Sequence, residues 1–303
     1  MSGQSTYADW IAVDWGTTHL RVWAMRGQTA VAEASSDDGM GTLERDGFEP
    51  ALLELIEPWL GQKRINAIVC GMAGARQGWF EAPYVAVPAT PGALTPVRVP
   101  TQDARLNVRI IPGLSQAKPA DVMRGEETQI AGFLVAQPGF DGVLCLPGTH
   151  AKWVYISAGE VVSFQTCMTG ELFQLLAEKS VLRHSVTGEG EDNAAFAEAV
   201  SDTLSRPERL AQRLFALRAE NVLNDLSGAT ARVRLSGYLI GAELAATKPY
   251  WLGQEVAIAG SPSLNAAYAA ALETQGVVAQ TIDAGPLTRA GLARVHAALT
   301  ETA

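Results

Sequence analysis

Three cysteines in 303 residues are too few, and odd in number, to staple a fold with disulfides. Cys70, Cys145 and Cys167 each sit in an apolar, strand-like context, so buried free thiols in a reducing cytosol are the simplest account. Histidine is scarce as well. The four present share no metal-ligand spacing with the cysteines, which argues against a structural zinc. Positive charge is in deficit: 23 Lys and Arg face 32 Asp and Glu, a formal net charge of −9. That balance argues against nucleic acid and an anionic membrane surface as partners. An anionic ligand must then be held by local basic groups and not by the overall field. No apolar run approaches membrane-spanning length, and the N-terminus shows no basic stretch leading into an apolar one. The expected location is therefore cytoplasmic, with no membrane partner.

What is present reads as a globular α/β chain. Hydrophobic residues make up 48% and charged ones 18%, enough apolar content and length for two cores. Apolar runs at Trp10–Val13, Leu20–Met25 and Ala30–Ala34 predict consecutive strands, and the spacing over Phe48–Leu60 predicts a helix. Ala67–Cys70 reads as a buried strand, Pro83–Pro100 as a loop-dominated insertion, Asn107–Ile111 as a strand and Glu126–Ala136 as a helix. The second half repeats the grammar from Gly142. It has strands at Trp153–Ser157 and Val161–Gln165, then helices at Glu171–Leu182, Ala194–Leu204, Glu208–Leu223 and Ala229–Ala246. It closes with strand Glu255–Ala259, helix Ser263–Thr274, strand Val277–Ile282 and helix Leu287–Leu299. No flexible linker separates the halves, so domains at 1–135 and 136–303 are expected to form a hinged pair around a central cleft.

The most informative feature is a pair of stretches built alike, Ile11–Met25 and Val143–Ser157. They align without a gap, Ile11 falling on Val143 and Gly16-Thr17 on Gly148-Thr149. A strand, a Gly-Thr turn and a second strand turn backbone N–H groups and a hydroxyl toward one point, as a phosphate oxygen requires. Either hairpin alone is an ordinary turn. The matched pair points to a duplicated fold that grips a polyphosphate. Asp14 stands at the end of the first strand, just ahead of Gly16, Thr17 and Thr18. A carboxylate there is placed to hold Mg²⁺ while the turn faces phosphates. Its counterpart in the second hairpin is Leu146, so a metal would rely on Asp14 and the nucleotide itself. A third element, Val256–Pro262, offers a buried strand, a Gly260-Ser261 turn and a helix entered through Pro262, suited to adenosine.

Asp14–Thr18, Gly148-Thr149 and Ala259–Ser261 resemble the first phosphate, second phosphate and adenosine motifs of the actin-like ATPase and sugar-kinase superfamily. Within it, the chain is similar to the 2-dehydro-3-deoxygalactonokinase family. The segments that carry the likeness are Ala12–Trp23, Cys70–Trp79, Val122–Gln129, Cys145–Trp153, Met168–Phe173 and Leu235–Glu243. The resemblance implies two actin-like, ribonuclease H-like domains with an internal duplication. It also implies transfer of the ATP γ-phosphoryl group, with Mg²⁺, to the 6-hydroxyl of 2-dehydro-3-deoxy-D-galactonate in galactonate degradation. The alternatives are another small sugar or sugar-acid kinase, a phosphatase of the exopolyphosphatase type, or a non-enzymatic actin-like nucleotide switch. Whether the chain forms a homo-oligomer is open.

The general base is sought in Arg124–Gln129. A Gly-x-Glu-Glu segment at this place in the superfamily's exopolyphosphatases resembles it and supplies a catalytic Glu, which falls on Glu127. Glu126 is the alternative base or a member of the metal shell. Both carboxylates also suit a helix N-terminus without any catalytic role. The substrate carboxylate calls for a guanidinium, which makes two parallel hydrogen bonds. Gly71 and Met72, in the turn after a buried strand, and Arg76 beyond them are expected on the substrate side, because ligand crevices lie past the carboxyl ends of such strands. Arg76 is the first candidate for that carboxylate, and Arg124 and Arg21 are further ones.

Overall fold

The computed structural model describes residues 7–301. They form two compact units: residues to Phe140 with Ala158–Val162 and the stretch from Ala284, and Asp141–Ser157 with Ser163–Asp283. A cut at 135/136 differs from this division in three places, since residues 136–140, Ala158–Val162 and the C-terminal helix all go with the first unit.

In the first unit, strands β1 (Trp10–Trp15), β2 (Leu20–Arg26) and β3 (Thr29–Ser36) form an antiparallel meander. Helix α1 (Phe48–Ile56) follows and ends in a short 3-10 turn at Glu57–Trp59, where Pro58 cannot continue an α-helical ladder. Then come β4 (Ile65–Gly71), β5 (Tyr84–Ala86), β6 (Val97–Arg98), β7 (Leu106–Ile110), β8 (Gly113–Ala117), β9 (Ala120–Met123) and helix α2 (Glu126–Ala136). The main sheet has the order β3-β2-β1-β4-β7-β6, with β1, β4 and β7 parallel. β1 and β4 are buried along nearly their whole length, which is why they read as unbroken apolar runs, whereas β3 alternates half-buried and exposed residues as an edge strand does. The core beneath one face gathers Trp15, Val22, Phe48, Leu52, Trp79 and Ile110.

The Pro83–Pro100 stretch is more ordered than the sequence suggests: β6 adds an edge to the main sheet, and β5 joins β8 and β9 in a separate three-stranded sheet. Proline fits both places because neither short strand is central.

The second unit opens with β10 (Gly142–Leu146), β11 (Ala151–Ser157) and β12 (Glu160–Cys167). Helices α3 (Thr169–Glu178), α4 (Asn193–Ser205), α5 (Leu210–Leu223), α6 (Gly228–Ala246) and the short α7 (Lys248–Trp251) follow. β13 (Val256–Gly260), α8 (Pro262–Glu273) and β14 (Gln280–Asp283) complete it. Its sheet order, β12-β11-β10-β13-β14, repeats β3-β2-β1-β4-β7 of the first unit, with the same antiparallel hairpin followed by the same parallel strands. The internal duplication is therefore a property of the fold. Helix α9 (Gly285–Glu301) returns to the first unit and packs on α2, where Gly132 and Gly291 let the two backbones touch. Among the described residues no helix is long and apolar enough to cross a membrane.

Candidate active site

Asp14 is the one residue of β1 that is not fully buried. Its register partners fix its surroundings: Arg21 across the antiparallel pair and Cys70 across the parallel one. The Arg21 guanidinium ion-pairs with Asp14 Oδ2, and the Cys70 thiol lies 3.8 Å from Asp14 Oδ1. Cys70 is completely buried, and its pKa is pushed well up by that burial and by the negative charges of Asp14 and Glu127. The thiol is thus a neutral neighbour of both carboxylates.

Gly71 ends β4 at φ 88°, and the Trp15 carbonyl presses where a side chain would stand, so only glycine fits. Gly125, at φ 108°, comes close enough that a methyl group on it would be 3.4 Å from the Gly71 Cα. This contact seats the start of α2 against the end of β4. Residues 14, 70, 71 and 125–128, far apart in sequence, become one cluster.

Glu127 is fully buried there. Its Oε2 accepts the Gly125 N–H at 2.6 Å and its Oε1 the Thr128 hydroxyl at 2.9 Å. Burial, and then the charge of Glu126, raise its pKa to about 7, against the partial relief those hydrogen bonds give. Glu126 is half-buried and accepts the Arg124 N–H at 3.0 Å. Met72 opens a 3-10 turn ending at Gly74, and beyond it Arg76 is exposed, its carbonyl accepting Arg45 Nη2 at 2.8 Å. Arg76 is therefore a surface residue.

The first Gly-Thr turn spends part of its backbone on itself. The Gly16 N–H bonds to the His19 carbonyl at 2.9 Å, and the Gly16 and Thr17 carbonyls accept the N–H groups of Met40 and Gly41. The Gly16 N–H therefore closes the turn, while Thr17 and Thr18 stay exposed on it.

In the second unit, the Gly148–Thr149 turn is backed by the start of α3. A Cβ on Gly170 would overlap the Gly148 carbonyl, the Glu171 N–H bonds to Thr149 O at 2.9 Å, and Glu171 pairs with His150 at 2.6 Å. Gly260 abuts Pro147 of the same turn, at 2.8 Å from a Cβ placed on it. Ser261 caps α8, its Oγ accepting the Leu264 N–H at 3.4 Å. Beside these turns lies a cavity of about 410 Å³ whose lining includes Gly148, Phe173, Arg232, Ser236, Leu264 and Tyr268. A buried carboxylate, Glu243, ties its walls together. It accepts Trp153 Nε1 at 2.7 Å, the Tyr268 hydroxyl at 2.9 Å and the Thr169 hydroxyl, and its burial raises its pKa.

These features match a named family. The family model described as 2-keto-3-deoxy-galactonokinase matches residues 14–295. The chain belongs to that family. It is 38% identical over 302 residues to a Rhizobium meliloti (strain 1021) protein named a probable 2-dehydro-3-deoxygalactonokinase, covering 97% of this chain and 99% of the relative. It is 34% identical over 293 residues to the 2-dehydro-3-deoxygalactonokinase of Escherichia coli (strain K12), covering 94% and 96%. A crystal structure from Sinorhizobium meliloti of the same description superimposes with a TM-score of 0.88 at 38% identity, over 96% of this chain and 99% of that one. Component A of an Acidaminococcus fermentans (R)-2-hydroxyglutaryl-CoA dehydratase shares the fold at a TM-score of 0.54 and 13% identity, over 97% and 99%. The fold is accordingly the α/β, internally duplicated one of the actin-like ATPases and sugar kinases.

Within this galactonokinase-family chain, sequence reasoning passed over Cys70 as a core thiol and gave Thr169 and Glu243 no role. Their segments were visible as motifs, but the contact partners, Asp14 and Trp153, lie on other elements. As for a metal, no group of three His, Cys, Asp or Glu among the described residues could hold one. The donor set at Asp14 is a single hard carboxylate oxygen pair. That suits Mg²⁺, which is commonly held by one or two carboxylates together with nucleotide phosphates.

Proposed function

We propose that this chain is a cytoplasmic kinase that moves the γ-phosphoryl group of ATP to the 6-hydroxyl of 2-dehydro-3-deoxy-D-galactonate, a step of galactonate degradation. The observation that carries the reading is the cluster of Asp14, Gly71 and Glu127 in a chain of this family. In it a hard carboxylate for a metal–nucleotide stands near a second carboxylate tuned toward neutral pH. Mg²⁺, when bound with ATP, supplies positive charge against the phosphate oxygens, and Asp14 is the residue that would hold it.

The remaining work belongs to the chain. Thr17 and Thr18, with Gly16 shaping their turn, and Gly148 with Thr149 are assigned to the phosphates. Gly260, Ser261 and the cavity beside them are assigned to adenosine. Gly71 and Met72 form the floor for the sugar acid. In the transfer, O6 of the acid bonds to the γ-phosphorus, the bond to the β-phosphate oxygen breaks, and ADP leaves. The hydroxyl proton passes late to Glu127, whose pKa of about 7 suits a base that gives the proton up again near neutrality. Glu126, turned toward the Arg124 backbone, orients the same turn. Arg21 balances the Asp14 charge before the metal–nucleotide arrives.

A coupled ADP-release screen over neutral sugars and 2-keto-3-deoxy sugar acids tests the reading. Turnover should be highest with the galactonate-derived acid. Equal release with and without any acceptor would mark the chain as an ATPase-type switch, and a preference for a neutral sugar would mark another sugar kinase.

A further inference from the structure

Arg124 is a cation in an unusual position. It follows β9 and precedes Gly125, and its side chain runs under the turn that begins at Gly71. Nη2 donates to the Ala82 carbonyl at 2.8 Å, and the guanidinium carbon lies 4.3 Å from the centroid of the Tyr84 ring. Nη1 rests against the backbone of Gly74, 2.7 Å from where a Cβ there would stand. Nε and Nη1 are both buried and have no hydrogen-bond partner among the described residues. The adjacent carboxylates do not serve them: Glu126 turns to the Arg124 N–H and Glu127 to the Gly125 N–H.

A guanidinium removed from water without an anion is costly, and folded proteins rarely leave one so. Its donors are arranged as a planar fork whose natural partner is a carboxylate held by two parallel bonds. Resting on the kinase reading, we propose that Arg124 is the residue that pairs with the carboxylate of the sugar acid, and that Tyr84 is the cover that must move to admit it. Tyr84 suits that part. It sits on the three-residue strand β5 at the edge of the small sheet, and it is 43% exposed although its ring lies over the guanidinium. Arg76 does not compete well, because a solvated surface arginine gains little from an ion pair.

Calorimetric binding of 2-dehydro-3-deoxy-D-galactonate and of its carboxamide, to the wild-type chain and to Arg124→Lys, tests this without relying on turnover. The wild-type chain should bind the acid at least tenfold more tightly than the amide. In Arg124→Lys, the acid should weaken by about 10- to 100-fold and the amide hardly at all, since lysine keeps the charge and loses the fork. ATP affinity should not change. Equal losses for acid and amide, or no loss, would overturn the assignment. Should the variant fail to fold, the wild-type comparison still decides, because equal binding of acid and amide would mean that no cation reads the carboxylate. ADP release by the wild-type chain is followed in parallel. Release with acid that Arg124→Lys leaves untouched defeats only the anchor, whereas tight acid binding without release defeats the kinase reading and leaves the anchor standing.

Discussion

Asp14 and Glu127 show how far a single residue can be read from its neighbours in sequence. Asp14 stands out as a candidate in the sequence because a carboxylate ends an apolar strand just ahead of Gly-Thr-Thr. Replacing it with Asn should lower kcat by roughly 10²-fold or more while the chain melts normally, the scale of a lost electrostatic partner at a phosphoryl-transfer site. Steady-state kinetics with a thermal melt checks it, and near-normal kcat would remove Asp14 from the metal role. The environment of Glu127 was not legible. Its burial depends on Gly71 and Gly125 meeting, which no local pattern encodes. Its pKa of about 7 makes two predictions. As a base it must be ionised, so kcat/KM should rise with pH through about 7. For stability the sign is opposite: a carboxylate whose pKa is raised in the folded state contributes most below its unfolded value near 4.5, and the contribution is lost as pH rises through about 7. Glu127→Gln should therefore abolish turnover yet gain up to about 3 kcal/mol relative to wild type at pH 8, with no gain at pH 4.5. Urea unfolding at the two pH values reads this directly, and a loss of stability at pH 8 would mean that the carboxylate is a structural tie.

At the scale of elements, periodicity carried most of the reading. The duplicated strands, α2, and the helices and strands after Gly142 announce themselves through apolar spacing or through runs buried on both faces. The hairpin of β8 and β9 did not, since Gly113–Ala117 and Ala120–Met123 mix small and polar residues and are only partly buried. The backing of the Gly148–Thr149 turn by α3 was equally hidden, because it is a backbone-to-backbone contact made at Gly170. A methyl group there would push α3 off the Gly148–Thr149 turn. Gly170→Ala should accordingly raise KM for ATP about tenfold or more and leave KM for the sugar acid nearly unchanged. Initial rates with each substrate varied in turn would show it, and parallel rises in both constants would mean general disruption.

For the whole molecule, the repeated sheet order confirms a doubling first visible as two matched hairpins, and the family match extends from Asp14 to Val295. Fold alone would not choose the chemistry, because the same architecture is shared by a dehydratase component and by the galactonokinase-family structure. The choice rests on the carboxylate cluster and on the family. Its most direct test is the position of the phosphate on the product. The chain is incubated with ATP, Mg²⁺ and 2-dehydro-3-deoxy-D-galactonate, and the mixture is followed by ³¹P and ¹³C NMR. The account predicts one phosphomonoester formed per ADP, with phosphorus coupling to C6 of the acid. Inorganic phosphate released without an ester, or an ester on another oxygen, would contradict it.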